Sequence, residues 1–313
     1  MLIYAIRRIL MAIPVMGVVA LVVFGLLYIT PGDPAMVIAG DQATPDQIAH
    51  IRVSLGLDQP PYIRFATWIW QVLRGDLGTS IFSNQTVAHM IDQRLEPTVS
   101  LLILAVIISV LSGVPLGVAA AWKRGKAADR ALSIFTTAGF SIPVFVAGYA
   151  LAFVFASNLH WLPVQGFTPI GDGFWPFLRS LILPAVTLSL LYSAVIARVT
   201  RAAMLEVLSQ DYIRTAQAKG VGPMLILFRH ALKNAAVPVV TIIGLGIATL
   251  FGATVVTENV FAIPGLGRLT VDAILHRDYP IIQGVVLLAS AVYVLINLIV
   301  DLVYTLVDPR ISY

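Results

Sequence analysis

Val99–Ala121, VSLLILAVIISVLSGVPLGVAAA, runs for 23 residues without a charge. A helix rises 1.5 Å per residue, so about 20 such residues cross a hydrocarbon core of roughly 30 Å. A stretch that oily, with no polar face, belongs in lipid rather than on the outside of a soluble core. The rest of the chain agrees. Of its 313 residues 58% are hydrophobic and 12% charged, and mean hydropathy is +0.90. Soluble domains carry about twice that charged share.

Five further segments have similar length and character. They lie near Ile9–Ile29, Ala131–Ala156, Leu181–Ala197, Pro238–Thr257 and Ile282–Val307. The expected fold is therefore all-α, a polytopic bundle of six membrane helices. The domain expectation is an N-terminal span at 1–30 and an outer loop at 31–98. A five-helix core follows at 99–307, including a loop at 198–237, and then a tail at 308–313. Arg7 and Arg8 precede the first span. It is too long for a signal-peptide core and no small-residue cleavage site follows, so it reads as an uncleaved helix. With six spans, 13 of the 20 Lys and Arg fall on the side holding the N-terminus and 7 on the other. That bias places both termini in the cytoplasm. The net charge of +4 reports topology and not nucleic-acid binding. There is no cysteine, and the five histidines are scattered, so no metal site is expected.

The loop at 31–98 is too long to lack structure of its own. Thr44-Pro45-Asp46-Gln47 offers an N-cap, a proline at the first helical position and a capping-box glutamine, with Gly56 as a stop. A second helix is expected from Pro61 to just before Gly75. Its apolar face comprises Tyr62, Phe65, Trp68, Ile69 and Val72. Both read as short helices on the outer surface, either a lid on the bundle or headgroups, or a docking platform.

Within the spans, Gly113 and Gly117 form a G-x-x-x-G pair. Gly244, Ala248 and Gly252 form a small-residue ladder, and both patterns predict close helix contact. Pro143, in GFSIPVF, predicts a kink in the third span. Asp301 is the one charge placed well inside a span, with Asn297 a turn before it and Arg198 or Arg201 as candidate partners. Pro143, Gly244, Ala248, Gly252, Asn297 and Asp301 are thus the pathway and packing candidates. No catalytic constellation or G-x-x-x-x-G-K-[ST] phosphate loop is present. Pro264–Leu269, PGLGRL, lacks the third glycine of a dinucleotide fingerprint and reads as a turn outside the membrane.

The remaining polar stretch is Ser209–Pro223, SQDYIRTAQAKGVGP. Ser209 can cap a helix there, Asp211 suits its first turn and Gly220 its end, while Pro223 can open the next. So short a helix is marginal alone and needs a surface to dock on. Tyr212, Ile213 and Ala216 are its candidate anchors in a groove of a soluble partner.

DYIRTAQAKG at Asp211–Gly220, with RHALKNAAVPVV at Arg229–Val240, resembles the cytoplasmic loop of ABC-transporter permeases of the dipeptide, oligopeptide and nickel importer class. The resemblance extends to PGDPA at Pro31–Ala35, LGLDQPPY at Leu55–Tyr62, GDLGTS at Gly75–Ser80, ENVFAIPGLGRL at Glu258–Leu269, RDYP at Arg277–Pro280 and DLVYTLVDPRISY at Asp301–Tyr313. It implies the type I importer permease fold with an extra N-terminal span. It also implies a bacterial inner-membrane subunit that is not itself an enzyme. Its partners would be a second, homologous permease, two ATPase subunits holding ATP and magnesium, and an extracytoplasmic substrate-binding protein. Asp211, Tyr212, Ile213, Arg214, Thr215, Ala216, Lys219 and Gly220 would form the coupling helix that meets the ATPase. Where the wider family has E-A-A, this chain has Arg214-Thr215-Ala216; Gly220 keeps the motif glycine. Of a later I-x-L-P, only Leu232 is kept, His230 and Lys233 standing at the other two places. The cargo implied is di- or oligopeptide, with glutathione and nickel complexes as alternatives. A secondary transporter driven by an ion gradient through Asp301 is the alternative of a different class.

Overall fold

A computed structural model of the chain describes residues 2–29, 35–36, 43–54 and 56–307. The tail expected at 308–313 and most of the PGDPA stretch lie outside the described residues. The described secondary structure is helical throughout, apart from one isolated bridge between Thr79 and Thr86. The chain divides into two compact units. Of the described residues, one comprises those within 2–95 and 268–295, and the other those within 96–267 and 296–307.

In the first unit, α1 (Leu2–Ile29) is long and apolar enough to span a membrane. The expected capping box opens α2 (Pro45–Ser54). Gln47 Oε1 accepts from Thr44 N at 2.9 Å, and Thr44 Oγ1 from Gln47 N at 3.4 Å. Gly56 then takes φ +62°, and Leu57 N reaches back to Arg52 O at 2.9 Å. α3 (Pro61–Leu73) begins and ends where its sequence foretold. Phe65 and Trp68 pack on Phe24 of α1, with ring centroids 5.3 and 5.6 Å apart. Before the last span, Ser80 Oγ donates to buried Asp278 Oδ2 at 2.6 Å.

α4 (Val87–Trp122) contains the opening stretch and runs on well before it. The expected third span is broken. α5 (Ala127–Ser141) and α6 (Val144–Leu151, continued by a π-helical turn Ala152–Asn158) meet at 105°. This is an elbow rather than a kink. Pro143 lacks an N–H and forces the residue before it out of helical geometry. Ile142 accordingly sits at φ −94°, ψ 119°.

α7 (Phe174–Leu208) is the hub of the second unit. Of its most apolar window 72% is buried, against 39% for that of α4. Leu181, Leu188, Tyr192 and Ile196 form a core with Leu101 and Ala105 of α4 and with Leu250 and Phe261. The chain continues through α8 (Asp211–Ala218), α9 (Pro223–Leu232), α10 (Ala236–Val260), α11 (Leu266–His276) and α12 (Tyr279–Val307). By length and composition the helices supply five spans, or six if the bent pair counts as one. PGLGRL is not only a turn, because α11 starts inside it at Leu266.

Candidate functional site

The polar loop forms the short helix α8. Ser209 does not cap it. Its Oγ donates to Glu206 O at 2.7 Å and so finishes α7, while extended Gln210 (φ −73°, ψ 149°) turns the chain into α8. A serine closing one helix cannot also point into the next, two residues on. Asp211 sits in the first turn, where the amino-terminal partial charge favours it. The far end is a Schellman motif. Val221 N reaches Ala216 O at 3.1 Å and Gly220 N reaches Gln217 O at 2.9 Å, with Gly220 at φ +75°. That left-handed position is why a glycine stands there.

Ile213 is fully buried within the chain itself. It therefore fastens α8 to its own loop rather than offering a side chain to a partner. Asp211, Arg214, Thr215, Lys219 and Gly220 face out, Tyr212 is 44% exposed, and Ala216 is half-buried. The Arg214–Asp211 pair at 3.2 Å is too exposed to stabilise much. Asn234 was not foreseen in the sequence. Its Nδ2 donates to Tyr212 Oη at 3.0 Å and to His230 O at 2.7 Å, two residues before α10 begins. The polar KN pair in RHALKN is the only sequence signal for it. The stem α9 is seated by Leu227 and Ala231, which pack with Val118 and Ala121 of α4 and Ala203 and Met204 of α7. Its π-helical stretch Ile226–Leu232 carries His230 and Leu232, and Lys233 follows. Such stretches are rare and are often found at functional places.

Between α7 and the start of α5, Arg201 holds Asp129 in a fork, Nε to Oδ1 at 2.5 Å and Nη2 to Oδ2 at 3.0 Å. Arg198 lies over the Phe140 ring, 4.3 Å from its centroid. Both arginines considered for Asp301 thus have other contacts. The Asp301 side chain lies outside the described residues, and Asn297 is half-buried on α12.

The small-residue patterns divide. Gly113 and Gly117 bring α4 against the α7 backbone. A Cβ on Gly117 would stand 2.5 Å from Ala197 O, and one on Gly113 2.9 Å from Ser193 O. The Gly244, Ala248 and Gly252 ladder does not pack as a unit. Gly244 is closed in by Val300, whereas Gly252 is exposed with nothing near it. A second close approach on α10 is at Gly246, which Tyr192 of α7 covers while its hydroxyl donates to Ile242 O. Spacing by four marks a face but not what meets it.

A second feature missed in the sequence is Glu258, one residue past the expected end of the fifth span. α10 runs on to Val260 and buries Glu258 completely. Asp301 is therefore not the only carboxyl within a span helix. Thr98 Oγ1 donates to Glu258 Oε1 at 2.6 Å and accepts from Leu266 N at 2.8 Å. Gly265 and Gly267 leave room for the carboxylate, since a Cβ on either would come within 3 Å of it. The G-x-G of PGLGRL serves this packing.

Residues 113–313 match the family described as binding-protein-dependent transport system inner membrane component, and residues 1–102 match its N-terminal counterpart. A probable peptide ABC transporter permease protein of Sinorhizobium fredii is 55% identical over 311 residues, 99% of each chain. The glutathione transport system permease protein GsiC of Salmonella choleraesuis is 44% identical over 313 residues, covering both chains fully. An inward-facing structure of the MetNI methionine ABC transporter superposes with a TM-score of 0.57. It covers 70% of this chain and 96% of that one at 19% identity, a likeness of fold.

Proposed function

The chain belongs to the binding-protein-dependent transport system inner membrane components, and from that premise we propose how it couples and what it carries. α8 is the coupling helix. Its exposed face meets a cytoplasmic ATPase subunit, and closure of the ATPase pair on ATP and magnesium drives it. The observation that carries this reading is an eight-residue helix fastened by one buried side chain, Ile213, with every other residue wholly or partly accessible. Asp211, Tyr212, Arg214, Thr215, Ala216 and Lys219 make the contact, and Gly220 ends the helix cleanly.

Movement of α8 passes to α10 through Tyr212 and Asn234 and through the α9 stem. The bundle then exchanges inward- and outward-facing packings, each favoured by a different bound partner. A second permease completes the pathway, and a binding protein on the other face delivers cargo. The termini and α8 lie in the cytoplasm of a bacterial cell, as the Lys and Arg bias has it. Pro143, Gly244, Ala248, Gly252 and Asn297 stand on helices that line or pack the pathway, and Asp301 is carried with them. The family transports in dependence on a binding protein, which argues against a gradient-driven route through Asp301.

The cargo is a di- or oligopeptide, with glutathione or a nickel complex as the alternative, in keeping with the peptide transporter of Sinorhizobium and the glutathione transporter of Salmonella to which the relatives belong. An amide backbone with charged ends is common to a dipeptide and to glutathione. Ligand binding to the purified binding protein discriminates among these and a nickel complex.

The coupling test uses Ala216→Asp and Gly220→Val in the assembled transporter, with substrate-stimulated ATP hydrolysis and uptake as readouts. Both should fall while each variant chain still folds and inserts. Normal hydrolysis and uptake in both would remove α8 from the coupling path.

A further inference from the structure

The helix α3 divides into three sectors at 100° per residue. Phe65 and Trp68 face α1 and pack on Phe24. Tyr62, Ile63, Trp70 and Leu73 form a second, contiguous sector that is bare: they are 73%, 42%, 57% and 74% exposed. Arg64, Thr67 and Gln71 form the third and line a cavity of about 440 Å³. Phe24 and Leu27, from the last turns of α1, line the same cavity, as do Tyr279 and Gln283 at the start of α12. It therefore lies where two spans leave the bilayer, with apolar rings on one side and amides and hydroxyls on the other. Among the described residues Arg64 is the one charge in its lining, and no carboxylate lines it.

We propose that this cavity binds the headgroup of an anionic phospholipid, in the leaflet where α1 ends, with α3 lying in the headgroup layer. Three observations combine here. Most of α1 between Arg7 and Tyr28 is exposed, Ala20, Val23 and Phe24 being the buried exceptions, so its outer face is left to lipid beside the cavity. The bare sector of α3 is aromatic and aliphatic, and the Arg74 guanidinium lies 4.6 Å from the Trp70 ring centroid, the pairing an interfacial helix uses. Within the cavity, the Arg64 Nη1 donates to Tyr28 Oη at 2.7 Å, and its guanidinium lies 5.8 Å from the Phe24 ring centroid. The guanidinium is thereby held in place without its charge being neutralised. A guanidinium carries five N–H donors, which leaves several for phosphate oxygens. Gln71, on the same side, supplies amide donors for the glycerol and remaining phosphate oxygens, whereas the Thr67 hydroxyl donates to Ile63 O at 3.0 Å and offers the cavity an acceptor. The acyl chains would then run down beside α1.

The experiment is native mass spectrometry of the assembled transporter, purified in detergent and titrated with phosphatidylglycerol. The wild-type permease subunit should retain one lipid. Arg64→Gln should lower retention about tenfold, the equivalent of one charge-assisted contact. Gln71→Trp should do the same by filling the cavity without touching the Arg64–Tyr28 contact. Arg130→Gln, exposed on α5 and outside the cavity lining, should leave retention unchanged, and thermal unfolding confirms that each variant is folded. Equal retention in the wild type and both cavity variants would overturn the proposal. Displacement of the lipid by a short peptide would overturn it too, and would assign the cavity to cargo. Loss of coupling through α8 would leave this result untouched.

Discussion

Asp129 and Arg201 are joined through both carboxylate oxygens, at 2.5 and 3.0 Å, and tie the start of α5 to the last third of α7. The carboxylate also accepts from Gly125 N at 2.9 Å, so the turn before α5 is fixed in the same contact. The Asp129 side chain is 12% exposed and that of Arg201 32%. Partial burial makes this pair worth more than a surface pair and less than a fully enclosed one. Asp129→Ala should lower the melting temperature of the detergent-solubilised chain measurably. Arg201→Ala should cost a similar amount, and the double variant little more than either. Calorimetric or fluorescence melting in a double-mutant cycle checks it. Additive losses would mean that the two side chains act separately.

Two glycines that look alike in the sequence should respond in opposite directions. Gly117→Ala puts a Cβ 2.5 Å from the Ala197 carbonyl oxygen, and backbone cannot easily move away. It should cost about 1–3 kcal/mol, the range for overpacking. Gly252→Ala meets nothing within 4 Å and replaces a poor helix former by the best one. It should leave unfolding unchanged or raise stability by up to about 1 kcal/mol. Melting curves of the isolated chain decide both. A loss at Gly252 seen only in the assembled transporter would locate a partner surface on that face of α10.

The buried carboxyl of Glu258 leans on Thr98. Thr98→Val keeps the shape but removes the hydroxyl that donates to Glu258 and accepts from Leu266 N. Leaving those two groups without that partner should cost about 2–3 kcal/mol. Thr98→Ser keeps the hydroxyl and should recover most of that. Gly265→Ala should be worse tolerated than Gly171→Ala, since its Cβ would meet the Glu258 carboxyl at 2.3 Å while Gly171 has open space. Expression and melting temperature of the four variants test this. If Thr98→Val matches the wild type, the hydroxyl bridge contributes nothing.

What could be read in advance followed from local physics. Apolar length fixed the spans, the Thr44–Gln47 pair fixed the start of α2, and Gly220 fixed the end of α8, because each depends on neighbours in sequence. What escaped depends on the other side of a contact. Ile213 looks like a docking residue until α9 is seen to cover its helix. Gly246 carries no pattern, and only the position of Tyr192 reveals why it is small. Glu258 fell past a boundary drawn by hydropathy, because a buried carboxyl depresses the very average used to find buried helices. At α8 the helix itself was legible, whereas Asn234, bonded to the Tyr212 hydroxyl, was not.

The elbow at Ile142 and Pro143 has two causes that an experiment can separate. Proline withholds a helical N–H and holds Ile142 extended, which favours the break whatever surrounds it. Yet both arms are also packed on α7. A Cβ on Gly139 would stand 3.2 Å from Ala194 Cβ, and one on Gly148 3.2 Å from Thr187 Cγ2. Inside the bend lies an apolar cleft of about 170 Å³, lined by Phe135, Ile142, Thr187 and Leu191 among others, which straightening would reshape. The chain has no cysteine, so two can be added without background. Ile134 and Phe153 are 71% and 61% exposed, one on each arm, and suit spin labels. If proline governs the bend, Pro143→Ala should add a longer distance between the labels, as a fraction of molecules run α5 into α6. Cargo uptake should fall with it. An unchanged distance distribution would assign the 105° angle to the α7 contacts. Gly139→Val and Gly148→Val would then be the substitutions that open the elbow.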